Sequence, residues 1–235
     1  MRLYKTLTIG GEAYQLASES ITLDIARPGR AIFQVVQPEG ATGMPSGMVD
    51  FSLGWNVAGR QSRFITCDIE RAEPLNNREY RLFCNEISAR LDTVLPVALR
   101  HPNLKQVLQA YSAKTGLNFI LPERGYATVQ VPAFYGVGTG FQALANIGPV
   151  FGIDDYVWLT QGDGKIFVGS WQDSRWPDRG IEIPREFYKS VSFIGNRSIA
   201  AIPGLRPGAL VDGQRVVRVE FAGQTMRFQC ERAEN

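Results

Sequence analysis

Alternating apolar and polar side chains dominate the first 90 residues of the chain. In ITLDI, for example, Ile21 and Leu23 alternate with Thr22, and this period of two is typical of a half-buried strand. Turn-forming Gly, Pro and Asn residues separate such segments, and many short strands divided in this way predict a barrel or a sandwich. The segments that share this character are LYKTLTI, SITLDIA, AIFQVVQ, MVDFSLGWNVA, SRFITCDIERA and REYRLFCNEI.

The pattern changes to a helical period after residue 100. In LKQVLQAYSAKTG, apolar residues recur from Leu104 to Tyr111 at i, i+3, i+4 and i+7, which predicts one buried helix face. Pro102 precedes this helix, and Gly116 fits the left-handed position that follows a helix end.

A second helix is predicted in TGFQALANIGP. Thr139 and Gln142 have the spacing of a capping box, in which each side chain bonds the other residue's backbone N–H. We expect Pro149 to end this helix. The expected buried face comprises Phe141, Leu144, Ala145 and Gly148.

The stretch DDYVWLTQGDGKIFVGSW allows two interpretations. Asp154, Asp155 and Asp163 could line a metal or phosphate site, or QGDG could turn the chain between two strands. YVWLT and KIFVGSW both alternate, and Gly162 and Gly164 can adopt the positive φ angles of a tight hairpin, so we favour the hairpin. With LNFIL and ATVQVPAF as further strands, residues 91–172 are predicted to form a helix–strand–strand–helix–strand–strand α/β module.

The last third of the chain returns to strands. SWQDSRWPDRG resembles a linker, GIEIPREFYKSVSFIGNR is strand-like, and RVVRVEFAGQTMRFQC predicts a hairpin with Val217, Val219 and Phe221 on one face. The predicted fold class is therefore α+β and mainly β, with β-barrel regions at 1–90 and 173–235 interrupted by the inserted module at 91–172. The pattern leaves open whether the β regions form one barrel or two.

Composition narrows the function classes. The formal net charge is only +2, so no strong field draws the whole molecule to nucleic acid or to a membrane surface. Cys67, Cys84 and Cys230 are odd in number and widely spaced, which favours free thiols in a reducing cytosol. We expect neither a signal peptide nor stable membrane insertion, because the sequence lacks a signal-peptide pattern and a run of about 18 apolar residues.

Candidate chemistry is sparse. GVGTGF, at residues 136–141, departs from the dinucleotide fingerprint because Phe141 stands where the third glycine belongs. His101 is the only histidine, and its position before Pro102 and a predicted helix favours a loop residue at a helix start over a catalytic base. We therefore predict no enzyme activity and no catalytic, metal or cofactor-binding residues.

Four blocks resemble the tail-hub proteins of bacteriophages, a group that includes the late-control and baseplate-hub type and the hub half of type VI secretion spikes. The likeness covers most of the chain and lies in the order of its blocks. We weigh most the LRHPNLKQVL helix entry and the IPGLRPG segment. The blocks are RPGRAIFQV, REYRLFCNEISARLDTVLPVALRHPNLKQVLQAYSAKTGLNF, YVWLTQGDGKIFVGSW and IPGLRPGALVDGQRVVRVEF.

The resemblance implies a structural protein of the virion, located at the tail tip or baseplate and assembled in the host cytoplasm. It implies a homotrimer whose ring of barrels joins a sixfold tail tube or distal tail proteins above to a threefold spike, fibre or tip below. The tape-measure protein and the DNA would pass through the lumen during genome ejection. Arg27, Arg30 and Arg206 flank proline–glycine turns, and we select them as candidate interface residues.

Two rival functions remain open at this stage. The order of elements in the module also resembles the ring-building domains of secretins, which would make the chain a component of an export channel. A tail-associated enzyme that acts on carbohydrate is the third possibility, but it needs paired acids across a groove. The copy number in solution separates these three classes.

Overall fold

The structure is a computed structural model that describes residues 2–55, 61–191 and 196–231. Within these residues it contains sixteen strands and three α-helices. The helices are α1 (Leu104–Thr115), α2 (Gly125–Thr128) and α3 (Gly140–Phe151). The strands are β1 (Leu3–Ile9), β2 (Glu12–Asp24), β3 (Arg30–Val36), β4 (Met48–Trp55), β5 (Ser62–Pro74), β6 (Glu79–Glu86), β7 (Val97–Arg100), β8 (Phe119–Ile120), β9 (Ala133–Gly136), β10 (Tyr156–Thr160), β11 (Ile166–Ser170), β12 (Tyr188–Val191), β13 (Asn196–Ala200), β14 (Leu210–Val211), β15 (Gln214–Ala222) and β16 (Thr225–Cys230).

The first six strands close into an antiparallel barrel. Their hydrogen-bonded order is β1–β4–β5–β6–β3–β2, and β2 pairs again with β1 to complete the circle. Gly10 and Gly11, both with positive φ, form the tight turn that brings β2 back along β1. Closure leaves no free strand edge around this ring.

Strand β2 links the barrel to a second antiparallel sheet. Its first part pairs with β1, whereas its last part, from Ser20 to Asp24, pairs with β15. From there the second sheet runs β15–β16–β13–β12, and the short β14 pairs with β15. The described β regions thus form one closed barrel and one open sheet that share a strand.

Four phenylalanines show that the barrel and the second sheet share a core. Phe51 of β4 lies 5.5 Å from Phe33 and 6.0 Å from Phe221, measured between ring centroids, and Phe64 lies 5.8 Å from Phe221. All four rings are at most 1% exposed. Because Phe221 belongs to β15, the last third of the chain helps to fill the space between the barrel walls.

The module has its own hydrophobic core. Strand β10 pairs with β11, β11 pairs in parallel with β8, and β7 pairs with β9 as a separate two-stranded sheet. Helices α1 and α3 pack on these strands through the buried Tyr111, Leu144 and Ile147. The opposite faces of β10 and β11 contribute Val157, Leu159 and Phe167 to the barrel core, so the module packs directly on the barrel.

Helix α1 follows its sequence pattern closely. The predicted stripe from Leu104 to Tyr111 is buried, and Gly116 has the expected left-handed φ of 70°. Asn103, which the sequence analysis did not select, caps the helix by accepting a hydrogen bond from the backbone N–H of Gln106.

Helix α3 differs from its prediction in two respects. The capping box of Thr139 and Gln142 is present, but the helix continues through Pro149 to Phe151. Pro149 lies on the exposed side near the helix end, and the left-handed Gly152 ends the helix one turn later. The buried face was also partly wrong, because Ala145 is exposed while Ala143 and Ile147 are buried.

Three strand predictions were wrong in detail. In ATVQVPAF only the last two residues belong to a strand, because residues 125–128 form the helical turn α2. In GIEIPREFYKSVSFIGNR, residues 185–187 form a 3-10 turn, strand β12 begins at Tyr188, and residues 192–195 lie outside the described part. In β15 a bulge between Val216 and Arg218 turns Val216, rather than Val217, into the core.

Two other predicted segments, MVDFSLGWNVA and SWQDSRWPDRG, also differ from their predictions or lie partly outside the described residues. The end of MVDFSLGWNVA falls on residues 56–58, which lie outside the described part of the chain. The SWQDSRWPDRG segment is no loose linker, because Trp171 and Trp176 are buried and the Trp171 indole N–H donates to the Gly208 carbonyl at 2.9 Å. No helix in the described ranges is long and apolar enough to cross a membrane.

Candidate functional site: the Arg206 junction and the exposed surfaces

The three arginines selected from the sequence lie in different environments. Arg27 and Arg30 are exposed at the turn between β2 and β3, where an interface role stays a prediction. Arg206 is only 4% exposed. Its contacts lie within the subunit and account for its charge there, so a role at a subunit interface has no support from its position.

Arg206 ties the three parts of the chain together. Its guanidinium donates to Glu86 Oε1 at 2.7 Å, to the Thr160 carbonyl at 3.1 Å and to the Phe64 carbonyl. Glu86 ends β6 of the barrel, Thr160 ends β10 of the module, and Arg206 lies on the IPGLRPG loop of the last third. We call this set of contacts the Arg206 junction.

Both carboxylate oxygens of Glu86 have hydrogen-bond partners in the junction. Glu86 Oε2 accepts the Gly29 backbone N–H at 2.9 Å, and the Glu86 side chain is 3% exposed. A buried ion pair stabilises a fold only when such extra hydrogen bonds satisfy the charges. In this pair both carboxylate oxygens of Glu86 and both terminal nitrogens of Arg206 have hydrogen-bond partners, and the junction is therefore a rigid structural element.

The hairpin turn of the module packs against the barrel wall beside the junction. Gly162 approaches β5 so closely that a Cβ atom there would lie 2.0 Å from the Arg63 carbonyl oxygen. The Thr66 hydroxyl lies 3.1 Å from the Gly162 carbonyl and 2.8 Å from Asp50 Oδ1. The hairpin interpretation of QGDG is confirmed, although only Gly164 has a positive φ. Gly162 is required for close packing instead.

Two of the three acids of the same stretch form separate ion pairs, and Asp154 is exposed. Arg215 of β15 makes two hydrogen bonds to Asp155, at 2.6 and 3.0 Å, and its guanidinium lies 4.3 Å from the Trp171 ring centroid. Asp163 pairs with Lys165 at 3.1 Å, and the two hydrogen bonds and the charge of Lys165 outweigh partial burial and lower the pKa of Asp163. Asp155 thus links the module to the last third, and Asp163 stabilises its own turn.

The glycines of GVGTGF allow close packing, and His101 lies at an exposed bend. A Cβ on Gly136 would meet the Tyr111 hydroxyl at 2.2 Å, and one on Gly140 would meet Leu91 at 2.6 Å. These glycines allow close packing, which accords with the interpretation of GVGTGF as a loop that leads into a helix. His101 is exposed with a φ of 49°, and its backbone N–H donates to the Pro132 carbonyl.

An apolar patch lies on the module where β9 leads into α3. Val94, Tyr135 and Val137 are 68%, 65% and 85% exposed. The Leu95 N–H donates to the Gly138 carbonyl at 3.0 Å, which holds the two backbone segments side by side. Contiguous exposed apolar side chains mark protein contact surfaces. We name these three residues the apolar patch.

Two thiols are buried on neighbouring barrel strands. Cys67 of β5 and Cys84 of β6 are at most 2% exposed. Burial raises the pKa of the Cys67 thiol, and it raises that of Cys84 from 9.0 to about 12. A buried thiol with a raised pKa keeps its proton and is a poor nucleophile. These residues therefore act as small apolar core residues.

The raised thiol pKa values predict weaker folding in alkali. Above about pH 9 the unfolded chain loses thiol protons that the folded chain keeps, so the free energy of unfolding falls as pH rises toward the folded-state value. The slope is at most about 1.4 kcal/mol per pH unit for each thiol. Urea unfolding at several pH values should show this decrease, and a Cys67→Ala/Cys84→Ala variant should show a smaller one. An unchanged slope in that variant would assign the effect to other groups, such as the half-buried Tyr156, whose pKa is also raised by burial.

No family model matches the chain, and a phage protein is similar to it in sequence. An uncharacterized 58.7 kDa protein from the lys 3' region of Haemophilus phage HP1 is 30% identical over 226 residues, which are 95% of this chain. The chain spans only 41% of that relative's length.

Comparison with solved structures shows which known proteins share this fold. The 43 kDa tail protein of prophage MuSo2 from Shewanella oneidensis superposes with a TM-score of 0.71 over 98% of both chains, at 11% identity. This is the fold of phage tail proteins. A tail protein of Neisseria meningitidis MC58 superposes with a TM-score of 0.69 at 10% identity, covering 99% of this chain and 97% of that one. The resemblance identified from the sequence blocks is confirmed.

The tail-protein fold also extends to a bacterial secretion system. The Escherichia coli c3393 protein, a type VI secretion component described as similar to the T4 phage tail proteins gp27 and gp5, has a TM-score of 0.61. At 11% identity, the match covers 97% of this chain and 77% of that protein. The barrel, the module and the second sheet therefore recur together in phage tail proteins and in this type VI secretion component.

Proposed function

We propose that the chain is a structural protein of a phage tail, the hub at the tail tip or baseplate. In this proposal three copies form a ring that joins a sixfold tail tube to a threefold tip or spike. The observation that supports it most is the match over 98% of both chains to a prophage tail protein. A match of that extent includes the module and the second sheet as well as the barrel, so it is a match of the whole arrangement.

The described structure fits assembly better than chemistry. The residues weighed for a metal, phosphate or dinucleotide site serve packing or ion pairs, as at Gly136, Asp155 and Asp163. The Arg206 junction fixes the barrel, the module and the second sheet relative to one another, which is what a ring subunit requires. In a closed ring each subunit presents two different surfaces to its neighbours, and a rigid subunit keeps those surfaces in register.

The surfaces available for contact are of two kinds. The apolar patch offers side chains that another protein would cover, and aromatic and apolar residues are enriched in the centres of such interfaces. Arg27 and Arg30 are exposed charges that we propose for the rim of a subunit contact. We further propose that the segments 1–90, 91–172 and 173–235 act as barrel, insert and second β region, and that tape-measure protein and DNA pass through the ring.

The mass of the particle in solution tests this proposal directly. Light scattering or native mass spectrometry of the purified chain should show three copies of the 26.1 kDa subunit, or a larger ring built from trimers. An image of assembled tails should place the density at the tip. A ring of twelve or more copies would support the secretin alternative instead, and a monomer that degrades a polysaccharide would support an enzyme.

A further inference from the structure

An arginine-rich groove lies next to the Arg206 junction, between the hairpin turn of the module, the start of β5 and the segment that follows β11. Its volume is about 530 Å³. We call it the arginine groove and define it by six of its lining residues: Arg63, Asp163, Arg175, Trp176, Arg179 and Arg206.

The groove carries an excess of positive charge. Arg206 is neutralised by Glu86, Arg63 pairs with Asp50 at 3.2 Å, and Asp163 pairs with Lys165. Across the ranges that the structure covers, Arg175 and Arg179 form no ion pair. Two exposed guanidinium groups four residues apart are thus left to attract an anion.

The positive charges also affect one another. Partial burial and then the nearby charges of Arg206 and Arg179 lower the pKa of Arg175. An anion in the groove would relieve this repulsion. In addition, the buried Nε of Arg206 lacks a hydrogen-bond partner among the described residues.

The floor of the groove is apolar. The Trp176 ring is 8% exposed, and the Arg175 guanidinium stacks on it at 4.4 Å from the ring centroid. Ile181 and Pro203 extend this floor. Stacking on a ring restricts the arginine before any ligand arrives, so less conformational entropy is lost when it binds an anion.

We propose that the arginine groove binds a carboxylate-bearing peptide segment of a partner protein. Two guanidinium forks suit two carboxylates, and the floor of Trp176, Ile181 and Pro203 suits an apolar side chain between them. Nucleic acid fits the groove less well. Single strands are bound through exposed aromatic platforms, whereas the Trp176 ring is covered by Arg175.

A fluorescent peptide of alternating glutamate and leucine residues tests the proposal by anisotropy titration at low salt. We expect the 235-residue chain to bind this peptide and not its glutamine counterpart. The Arg175→Gln/Arg179→Gln variant should lose at least about tenfold in affinity, since each charge-assisted hydrogen bond lost is of that order. Both side chains are exposed, so the variant should remain folded.

The matched control is Arg81→Gln/Arg100→Gln, which removes the same charge from two exposed arginines outside the groove. It should bind the acidic peptide within about twofold of the unsubstituted chain. Failure of the unsubstituted chain to bind, or an equal loss in the control, would overturn the proposal. So would tighter binding of oligothymidylate or inorganic phosphate that the groove substitutions abolish. The titration reports on the groove in any oligomeric state, so it fails separately from the trimer proposal.

Discussion

Replacement of Arg206 by alanine is expected to lower the free energy of unfolding by about 3–5 kcal/mol. The substitution leaves the Glu86 carboxylate buried without its cation and removes the donors to the Phe64 and Thr160 carbonyls. An uncompensated buried charge costs far more than the ion pair itself contributes. Urea unfolding at neutral pH, monitored by tryptophan fluorescence, measures the change.

Two further variants make the Arg206 result specific. Arg90→Ala removes an ion pair to Asp68 whose side chains are 37% and 40% exposed. A solvent-exposed pair contributes about 0–1 kcal/mol, and the two hydrogen bonds of this pair put it at the upper end of that range. Glu86→Gln in the Arg206→Ala background removes the stranded charge and should restore part of the lost stability. If Arg206→Ala were no more destabilising than Arg90→Ala, the junction would not hold the three parts together.

The Gly162→Ala variant should be destabilised by about 1–3 kcal/mol or more. Its methyl group would lie 2.0 Å from the Arg63 carbonyl oxygen and 2.9 Å from the carbonyl carbon. Backbone atoms of a closed barrel cannot move aside cheaply, so the hairpin turn must retreat from β5 and weaken its contact with Thr66. Hydrogen exchange of the hairpin amides should become faster, and the urea midpoint should fall.

Gly204 provides the matched control for this clash. It lies on the loop that carries Arg206, it lacks a positive φ, and a Cβ there meets nothing within 4 Å. Gly204→Ala should leave stability unchanged or raise it by up to about 1 kcal/mol, because alanine restricts the unfolded chain. Equal effects at both glycines would show that close packing at Gly162 is not the cause.

Local sequence patterns predicted most of the secondary structure, because strand alternation, helix periodicity and helix capping each depend on residues close together in the sequence. The alternation in β1 and β6, the helical stripe of α1 and the capping box of α3 each need only a few neighbouring residues. The predictions were wrong where contacts with residues distant in the sequence determine the local structure. The bulge at Val216 depends on pairing with β16, and α3 continues past Pro149 to Phe151, which packs in the core of the module.

The Arg206 junction could not be predicted from local patterns, because its members are far apart in the sequence. Sequence analysis selected Arg206 for its proline–glycine context and placed it at an interface between subunits. Its partner Glu86 lies 120 residues away in sequence, and no local signal connects the two. The sequence did contain one usable hint, since the polar Glu86 ends a strand whose alternation places it on the buried face with Leu82 and Cys84. A buried acid of that kind requires a distant cation.

Strand β2 sets an order of events during translation. Its partners in the ring all come from residues 3–86, so these backbone pairings can form while the ribosome is still making the remainder, although Phe221 joins the core only later. The last residues of β2 must then wait, because Asp24 pairs with Arg218, whose codon is read 194 residues later. The early unit would therefore serve as a template on which the final hairpin is laid down.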